Sequence, residues 1–256
     1  MKARALAVVP ETTALSFMLT LDCRVPLSRR TTPVKHMPAK RRFGAMTAVV
    51  ALSVSGFVQQ LAVSYVSNGY FFYVVGSIPP DKYPLTIDAK LIARYGIGVS
   101  KWTRARRKRA GEASVQYLRH GRFFVILTTH GRHRFFEEEQ AVIRDVRRVP
   151  IKCFGYAVSH RRGHVCVRIE REEFKRLKAH FLELAAHRRA ETIASEFARL
   201  PFEPYAPVRR QLITLWRAVN RVRKTAGFEP APIECIRMRR RIVKPFGEPA
   251  PESEAA

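Results

Sequence analysis

The feature that most restricts the fold is a long segment without one charged residue, from Phe43 to Pro80. In a chain with 47 Lys and Arg residues, such a segment belongs in an interior, away from water. The part over 44–66 is long enough to span a bilayer and follows basic residues, so a membrane anchor or export segment is one interpretation. Its polar residues, Gln59-Gln60 above all, favour another: a short apolar helix or strand that leads into a buried strand over 65–78.

The charge of the chain restricts its partners. The sequence has 47 Lys and Arg against 21 Asp and Glu, a formal net charge of +26. Such an excess repels itself in a compact molecule, so the expected partner is a polyanion. The phosphate backbone of DNA or RNA is the commonest one, and an anionic membrane is the competing partner. No small-molecule substrate is evident.

Two clusters hold much of this basic charge. The first is a predicted helix that begins after Ser100, ends at Gly111 and includes Trp102. The second is a predicted helix that begins near Pro207 and ends at Gly227, together with the basic arm after it. We expect both clusters to contact phosphates, because Arg and Lys supply the charged donors that phosphate oxygens accept. The candidate nucleic-acid-binding residues are Lys101, Arg104, Arg106, Arg107, Lys108, Arg109, Arg209, Arg210, Arg217, Arg221, Arg223, Lys224, Arg239, Arg240 and Arg241.

The order of the predicted elements gives the fold class. A helix capped by Thr86 follows the first strand, residues 114–170 have the pattern of an antiparallel meander, and helical periodicity begins near Phe174. The meander includes a strand over 134–136. We therefore predict an α+β fold, with a mainly antiparallel sheet packed by helices and a basic helical C-terminal extension. The predicted divisions are a disordered basic arm (1–42), an α+β core domain (43–200), a basic helical extension and arm (201–247) and a disordered tail (248–256).

Two aromatic segments resemble the RNA-recognition motif. Tyr70-Phe-Phe-Tyr73, with Gly76 and a following helix, resembles the opening of that family, and Gly121-Arg-Phe-Phe-Val125 resembles its second aromatic motif. The resemblance implies a ferredoxin-like sheet whose aromatic side chains stack on bases. The sequence departs from the family in three ways: a Gly is missing from the second motif, the stretch 101–109 is inserted, and strands replace the second helix. The alternative is that these aromatic residues form the core.

The segment His164-Val-Cys166 resembles the metal-binding strand of HUH nucleases and Y1 transposases. In that family two histidines on one strand face hold a divalent metal, and a tyrosine attacks the phosphate. The resemblance implies His164 as a ligand and Tyr205, the nearest later tyrosine, as the nucleophile. Alternation places His164, Cys166 and Arg168 on one face. Cys166 stands where the second histidine belongs, and a thiolate prefers zinc to magnesium or manganese, which counts against activity.

Histidines and acidic residues offer two further metal hypotheses. A zinc site would need two turns to meet at one end of a sheet. Its ligands would come from His130, His133, His160 and His164 with Cys153 or Cys166. A magnesium site would use Glu137, Glu138, Glu139 and Asp145, of which a strand would let only Glu137 and Glu139 cooperate. The simpler interpretations are polar turn residues and carboxylates paired with neighbouring arginines, and these predict no metal and no cofactor.

Several enzyme motifs are absent, so nucleotide hydrolysis and serine hydrolase chemistry have no visible support in the sequence. The sequence has no GxxxxGK[ST] loop, no GxSxG elbow and no HExxH helix. Cys23, Cys153, Cys166 and Cys235 lack paired spacing, so we expect reduced thiols in the cytoplasm. The leading expectation is a non-enzymatic DNA- or RNA-binding protein, associated with the nucleoid if the ligand is DNA. The transposase-like strand suggests an accessory factor of a mobile element. The alternatives are a metal-dependent nuclease or strand-transfer enzyme, and a membrane-anchored basic protein.

Overall fold

The computed structural model describes residues 49–246. The predicted arm over 1–42 and tail over 248–256 lie outside this range, as does Cys23. The described part combines α-helices with two antiparallel sheets, which confirms the predicted α+β fold class. The helices are α1 (Val54–Gln59), α2 (Pro84–Tyr95), α3 (Lys101–Arg109), α4 (Arg134–Glu138), α5 (Arg171–Ala185), α6 (Ala190–Ala198) and α7 (Ala206–Thr225). The strands are β1 (Phe72–Ser77), β2 (Val115–His120), β3 (Phe123–Thr128), β4 (Arg144–Asp145), β5 (Ile151–Cys153), β6 (Tyr156–Arg161) and β7 (His164–Ile169).

The first sheet has four strands in the order β2-β3-β1-β4, each antiparallel to its neighbours. In the chain, α2 and α3 lie between β1 and β2, and α4 lies between β3 and β4. Apart from α3, the elements follow the β–α–β–β–α–β connectivity of ferredoxin-like units. Because many unrelated functions use this connectivity, it defines an architecture and no activity.

Alternation of side chains along β1, β2 and β3 gives this sheet two covered faces. On one face, Val74 and Ile126 are buried in a cluster with Leu91 and Tyr95 of α2. The opposite face belongs to the larger core, which also contains Phe57 and residues of the second sheet. The buried side chains on this opposite face are Tyr73, Leu118, Val125 and Leu127. The sheet is therefore an internal layer with helices on both sides.

The second sheet has three strands in the order β5-β6-β7, and its inner face joins the larger core. α7 packs along β7 and α5 and buries its apolar stripe in the same core. Gln211 of α7 pairs with the open edge of β7: its Oε1 accepts from the Ile169 amide at 2.9 Å and its Nε2 donates to the Ile169 carbonyl at 3.1 Å. The helix predicted as part of an extension over 201–247 thus contributes directly to the core.

The uncharged segment is mostly helical up to Asn68. A π-helical turn over Gln60–Tyr65 and a 3-10 turn over Val66–Asn68 continue α1, so the strand predicted over 65–78 begins only at Phe72. Phe57 and Leu61 are fully buried, which accounts for the absence of charge. Among the helices within residues 49–246, none is long and apolar enough to cross a membrane.

Two local predictions are wrong. The cap of α2 is Tyr83 and not Thr86, since Pro84 occupies the first turn, where its missing N–H has no cost. Residues 134–136 lie in the short helix α4 and not in a strand. The side chain of His133 accepts a hydrogen bond from the Phe135 amide at 3.1 Å and so caps that helix.

Candidate nucleic-acid interface

α3 presents the first predicted basic cluster on the surface. Ser100 caps the helix as predicted, since its hydroxyl accepts a hydrogen bond from the Thr103 amide at 3.2 Å. The helix has nine residues, and none of them is buried. Gly96 and Gly111 flank it with φ angles of 58° and 72°, which a glycine adopts without strain. The six basic residues are Lys101, Arg104, Arg106, Arg107, Lys108 and Arg109.

The helical period divides α3 into an outer and an inner side. Trp102, Arg106 and Arg109 follow one another at intervals of four and three residues, and all three are exposed. The half-buried side consists of Thr103, Arg104 and Arg107. On that side, Arg104 Nη1 donates to the Val99 carbonyl at 2.8 Å and fastens the helix to the preceding loop.

α7 carries the second cluster on the side opposite its buried stripe. Arg210, Arg217, Arg221 and Lys224 recur at intervals of seven, four and three residues and are all exposed. We call these four residues the outer stripe. At a rise of about 1.5 Å per residue, the stripe extends over about 21 Å. It is a straight, accessible row of cations on a helix fixed to the core.

Arg223 corrects the prediction for this helix. It lies four residues after the buried Val219, and only 1% of it is exposed. Its Nε donates to the carbonyl of Glu229 at 2.5 Å, and its Nη1 donates to the carbonyl of Arg188 at 2.6 Å. Because its donors are used inside the protein, Arg223 is a structural residue and does not face a ligand.

The segment after α7 folds back over the molecule. Arg209 Nη1 donates to the Met238 carbonyl at 3.0 Å, and Arg240 lies over the ring of Tyr205 at 4.9 Å. The buried carboxylate of Glu203 accepts from Arg237 at 3.2 Å and from the Arg241 amide at 3.1 Å. Arg239 and Arg241 remain exposed. The predicted arm is therefore a strap, with its basic side chains presented from fixed backbone.

The acidic residues that form ion pairs in the described part pair with cations other than the fifteen predicted ones. Ion pairs join Arg94 to Glu138, Arg147 to Asp145 and the buried Arg119 to Asp88. Every ion pair within residues 49–246 uses a basic residue outside the fifteen predicted ones. Apart from Arg237 of the strap, which pairs with Glu203, the basic residues of α3, the outer stripe and the strap form no ion pair with a carboxylate of residues 49–246.

A basic groove, which the sequence did not reveal, lies between the open face of the second sheet and the start of α5. Its volume is about 780 Å³. Six basic and two acidic residues line it; they are Lys152, Arg161, Arg168, Arg171, Lys175, Lys178, Glu170 and Glu172. Lys152 pairs with Glu170 at 2.9 Å and Lys175 pairs with Glu172 at 3.1 Å. The other four cations of the groove have no carboxylate partner within residues 49–246.

Glu170 organises one end of this groove. Its Oε2 accepts hydrogen bonds from the amides of Glu172 at 2.8 Å and Glu173 at 3.1 Å, which caps α5. The Lys152 ammonium is the main cause that lowers the pKa of Glu170 to about 2, and the two amides add to it. Glu170 is therefore ionised and fully engaged, so the remaining cations of the groove face solvent without it.

Three of the aromatic residues that resemble the RNA-recognition motif pack in or against the core; they are Tyr73, Phe123 and Phe124. Tyr73 is 1% exposed and Phe124 is 6% exposed, on opposite faces of the first sheet. Phe123 packs against Phe57 and Phe154 at ring distances of 5.8 and 5.3 Å. These contacts are those of core residues, which is the alternative given by the sequence.

The residues suggested by the nuclease resemblance are only partly brought together. The pairing of β6 with β7 places His164, Cys166 and Arg168 on one sheet face. His164 also lines a cavity of about 470 Å³ with Tyr205. The Tyr205 hydroxyl, however, is buried without a hydrogen-bond partner in the described part, and burial raises its pKa. A buried, protonated hydroxyl is poorly placed to attack a phosphate, and the structure gives Tyr205 no support as a nucleophile.

The other metal hypotheses find no cluster. His160 stacks on Phe71 at 4.8 Å on the core face of β6, away from His164. Glu138 pairs with Arg94, and Glu139 accepts from the Tyr95 hydroxyl at 2.5 Å. Within the described range, no three His, Cys, Asp or Glu side chains are arranged to hold a metal ion.

Comparison with protein-family profiles gives no match, and comparison with curated proteins gives no significant match.

Proposed function

We propose that this protein binds DNA or RNA through contacts to the phosphate backbone. One observation carries the proposal: the predicted basic residues at the surface form no ion pair with any carboxylate within residues 49–246, while other basic residues do. Phosphates are the ligand that such uncompensated rows of Arg and Lys fit best.

The outer stripe of α7 supports this proposal through the cost of its like charges. Arg217 and Arg221 are four residues apart on one helix face, and a like-charge pair at that spacing costs about 0.2–0.5 kcal/mol. Apart from Arg223, the buried stripe of α7 is apolar, and it does not include these exposed charges. A row of arginines held at this cost on a fixed helix supports phosphate contact.

The cellular compartment is part of the same proposal. Within residues 49–246, Cys153, Cys166 and Cys235 form no disulfide with one another, which supports a reducing compartment. We infer a cytoplasmic protein, associated with the nucleoid if its ligand is DNA.

Binding across a salt series tests the proposal directly. The full chain is titrated with duplex and single-stranded oligonucleotides, and log K is plotted against log salt concentration. For duplex DNA, each phosphate contact contributes a slope of about −0.9. The variant R210A/R217A/R221A/K224A should therefore lose affinity and reduce the slope by up to about 3.6.

A matched control separates the outer stripe from net charge. K82A/K90A/R176A/R199A also removes four positive charges, all from exposed residues outside α3, α7 and the strap. This variant should keep most of the affinity and nearly the whole slope. Absence of binding at low salt, or binding that does not depend on salt, would refute the proposal. Equal losses in both variants would refute a role of the outer stripe. Binding to anionic vesicles alone would point to the membrane.

A further inference from the structure

Trp102 is the largest of the exposed apolar side chains within residues 49–246. It is 83% exposed and lies on the outer side of α3, next to Arg106 and Arg109. Burying a side chain of this size would stabilise the fold by roughly 3 kcal/mol. This stabilisation is absent because Trp102 is left in water. Tryptophan is enriched at binding interfaces, because it offers a large apolar face together with a polar N–H.

The surroundings of Trp102 indicate the kind of ligand. The core of a protein–protein interface is depleted in charged residues, whereas the ridge of Trp102 continues with Ala105 and Arg106 one turn away and with Arg109 two turns away. No acidic residue occurs in α3. An aromatic plane flanked by guanidinium groups combines the two contacts that single-stranded nucleic acid offers, an accessible base face and phosphates on either side.

We propose that Trp102 stacks on an unpaired base and that the ridge Trp102–Arg106–Arg109 binds single-stranded nucleic acid. The ligand class follows from access: in a duplex the base faces are already stacked, whereas a single strand presents them. From Trp102 to Arg109 the ridge measures about 10.5 Å, which is about the length of three stacked nucleotides. This inference rests on the proposed function and adds a preference for unpaired bases to it.

The surroundings of α3 fit this role. Gly96 ends α2 and Gly111 follows α3, both with positive φ, and no residue of α3 itself is buried. The C-terminal end is nevertheless anchored, since the Ala113 amide donates to the Arg132 carbonyl at 3.1 Å and the Arg132 amide donates to the Gly111 carbonyl at 3.0 Å. The ridge therefore projects from a fixed base, so that a strand can approach both the indole ring and the arginines.

The test compares W102A and W102F with the unmodified full chain. The ligands are an oligothymidylate of about 20 nucleotides, long enough to fill one site, and a duplex of the same length. W102A should weaken binding of the single strand by about 5- to 150-fold, the range expected for loss of one stacked base. Binding of the duplex should change by less than about twofold, since phosphate contacts remain. W102F should retain part of the affinity because a benzyl ring still stacks.

Tryptophan fluorescence gives a second readout. The chain has two tryptophans, and Trp216 is half-buried with its Nε1 donating to the Ala231 carbonyl at 2.9 Å. Quenching on addition of oligothymidylate should therefore come from Trp102 and disappear in W102F. Because Trp102 is exposed, thermal unfolding of the variants should match that of the unmodified protein.

The outcomes distinguish this inference from the proposed function. If the unmodified chain binds oligothymidylate and W102A binds equally well without loss of quenching, stacking is refuted and phosphate binding stands. If W102A weakens duplex and single strand equally, the preference for unpaired bases is refuted. If the unmodified chain binds neither ligand at low salt, both proposals fail. A Trp102 signal with phosphatidylserine vesicles and none with oligonucleotides would overturn both as well.

Discussion

Arg223 donates a hydrogen bond from Nη1 to the backbone carbonyl of Arg188 at 2.6 Å, and so connects the last turn of α7 to the chain after α5. The same guanidinium binds the Glu229 carbonyl at 2.5 Å. R223A would leave both carbonyls without their charged donor, and we expect the free energy of unfolding to fall by about 3 kcal/mol. Urea unfolding measures this loss. Affinity for oligonucleotides should stay unchanged at temperatures where the variant is folded.

Arg221 is the matched control, because it precedes Arg223 by two residues and faces the opposite way. It is exposed on the outer stripe. R221A should change the free energy of unfolding by less than about 0.5 kcal/mol and should weaken binding. The assignment of the two residues is contradicted if R223A is as stable as the unmodified protein but binds nucleic acid more weakly.

Arg221 and Arg223 show which features of α7 can be predicted from the sequence and which cannot. The periodicity of α7 fixes its buried stripe, and Val219 followed four residues later by Arg223 marks that position as internal. Arginine is usually a surface residue, and for that reason the sequence predicted Arg223 among the phosphate-binding residues. The four-residue spacing from Val219 was the signal that Arg223 is internal. A long arginine side chain can be buried there because it donates to backbone carbonyls of two neighbouring segments. The α+β fold class and the exposed ridge of α3 follow from local patterns.

The basic groove could not be predicted in this way. Lys152, Arg161, Arg168 and Arg171 come from three strands and a helix, and only tertiary packing brings them around one concavity. Hydrophobic periodicity describes each helix or strand separately and does not indicate which faces of different elements pack together. Similarly, the sequence pattern predicted a strand over 134–136, whereas the cap that His133 provides selects a helix.

Glu170 leads to a prediction on the acid side. Its pKa is lowered from 4.5 to about 2 in the folded protein, chiefly by Lys152. Because the folded pKa lies below the unfolded one, the stabilisation is present above about pH 4.5 and is lost as the pH falls towards 2. E170A should lower the free energy of unfolding by about 1 kcal/mol at neutral pH through loss of the cap, and should flatten the pH dependence in that interval. Urea unfolding at a series of pH values measures the free energy of unfolding of both proteins. If it depends on pH in the same way in E170A and in the unmodified protein, the role of Glu170 is contradicted.

Two buried tyrosines predict the behaviour on the alkaline side. The hydroxyls of Tyr95 and Tyr117 donate to Glu139 and Asp88, both at 2.5 Å. Burial raises the pKa of both tyrosines, and the carboxylate acceptors raise it further. Since the folded pKa exceeds the unfolded value of 10.0, this stabilisation is complete below about pH 10 and is lost above it.

Phenolate absorbance followed with circular dichroism tests that prediction. These tyrosines should ionise only together with cooperative unfolding, above the pH at which exposed tyrosines titrate. Y117F should lower the free energy of unfolding by about 1 kcal/mol at neutral pH, because one hydrogen bond to a carboxylate is lost. Smooth titration of all tyrosines near pH 10 in a protein that remains folded would contradict their burial.

The basic groove gives the last prediction. Arg161, Arg168 and Arg171 line it and form no ion pair within residues 49–246, so their guanidinium groups are available to phosphates. R161A/R168A/R171A should weaken binding to duplex DNA and reduce the salt slope by up to about 2.7 if all three contact phosphates. K82A/R176A/R199A removes equal charge from exposed residues that line no part of the groove and should leave the slope nearly intact. Equal effects of the two triple variants would mean that net charge, and not the groove, determines affinity.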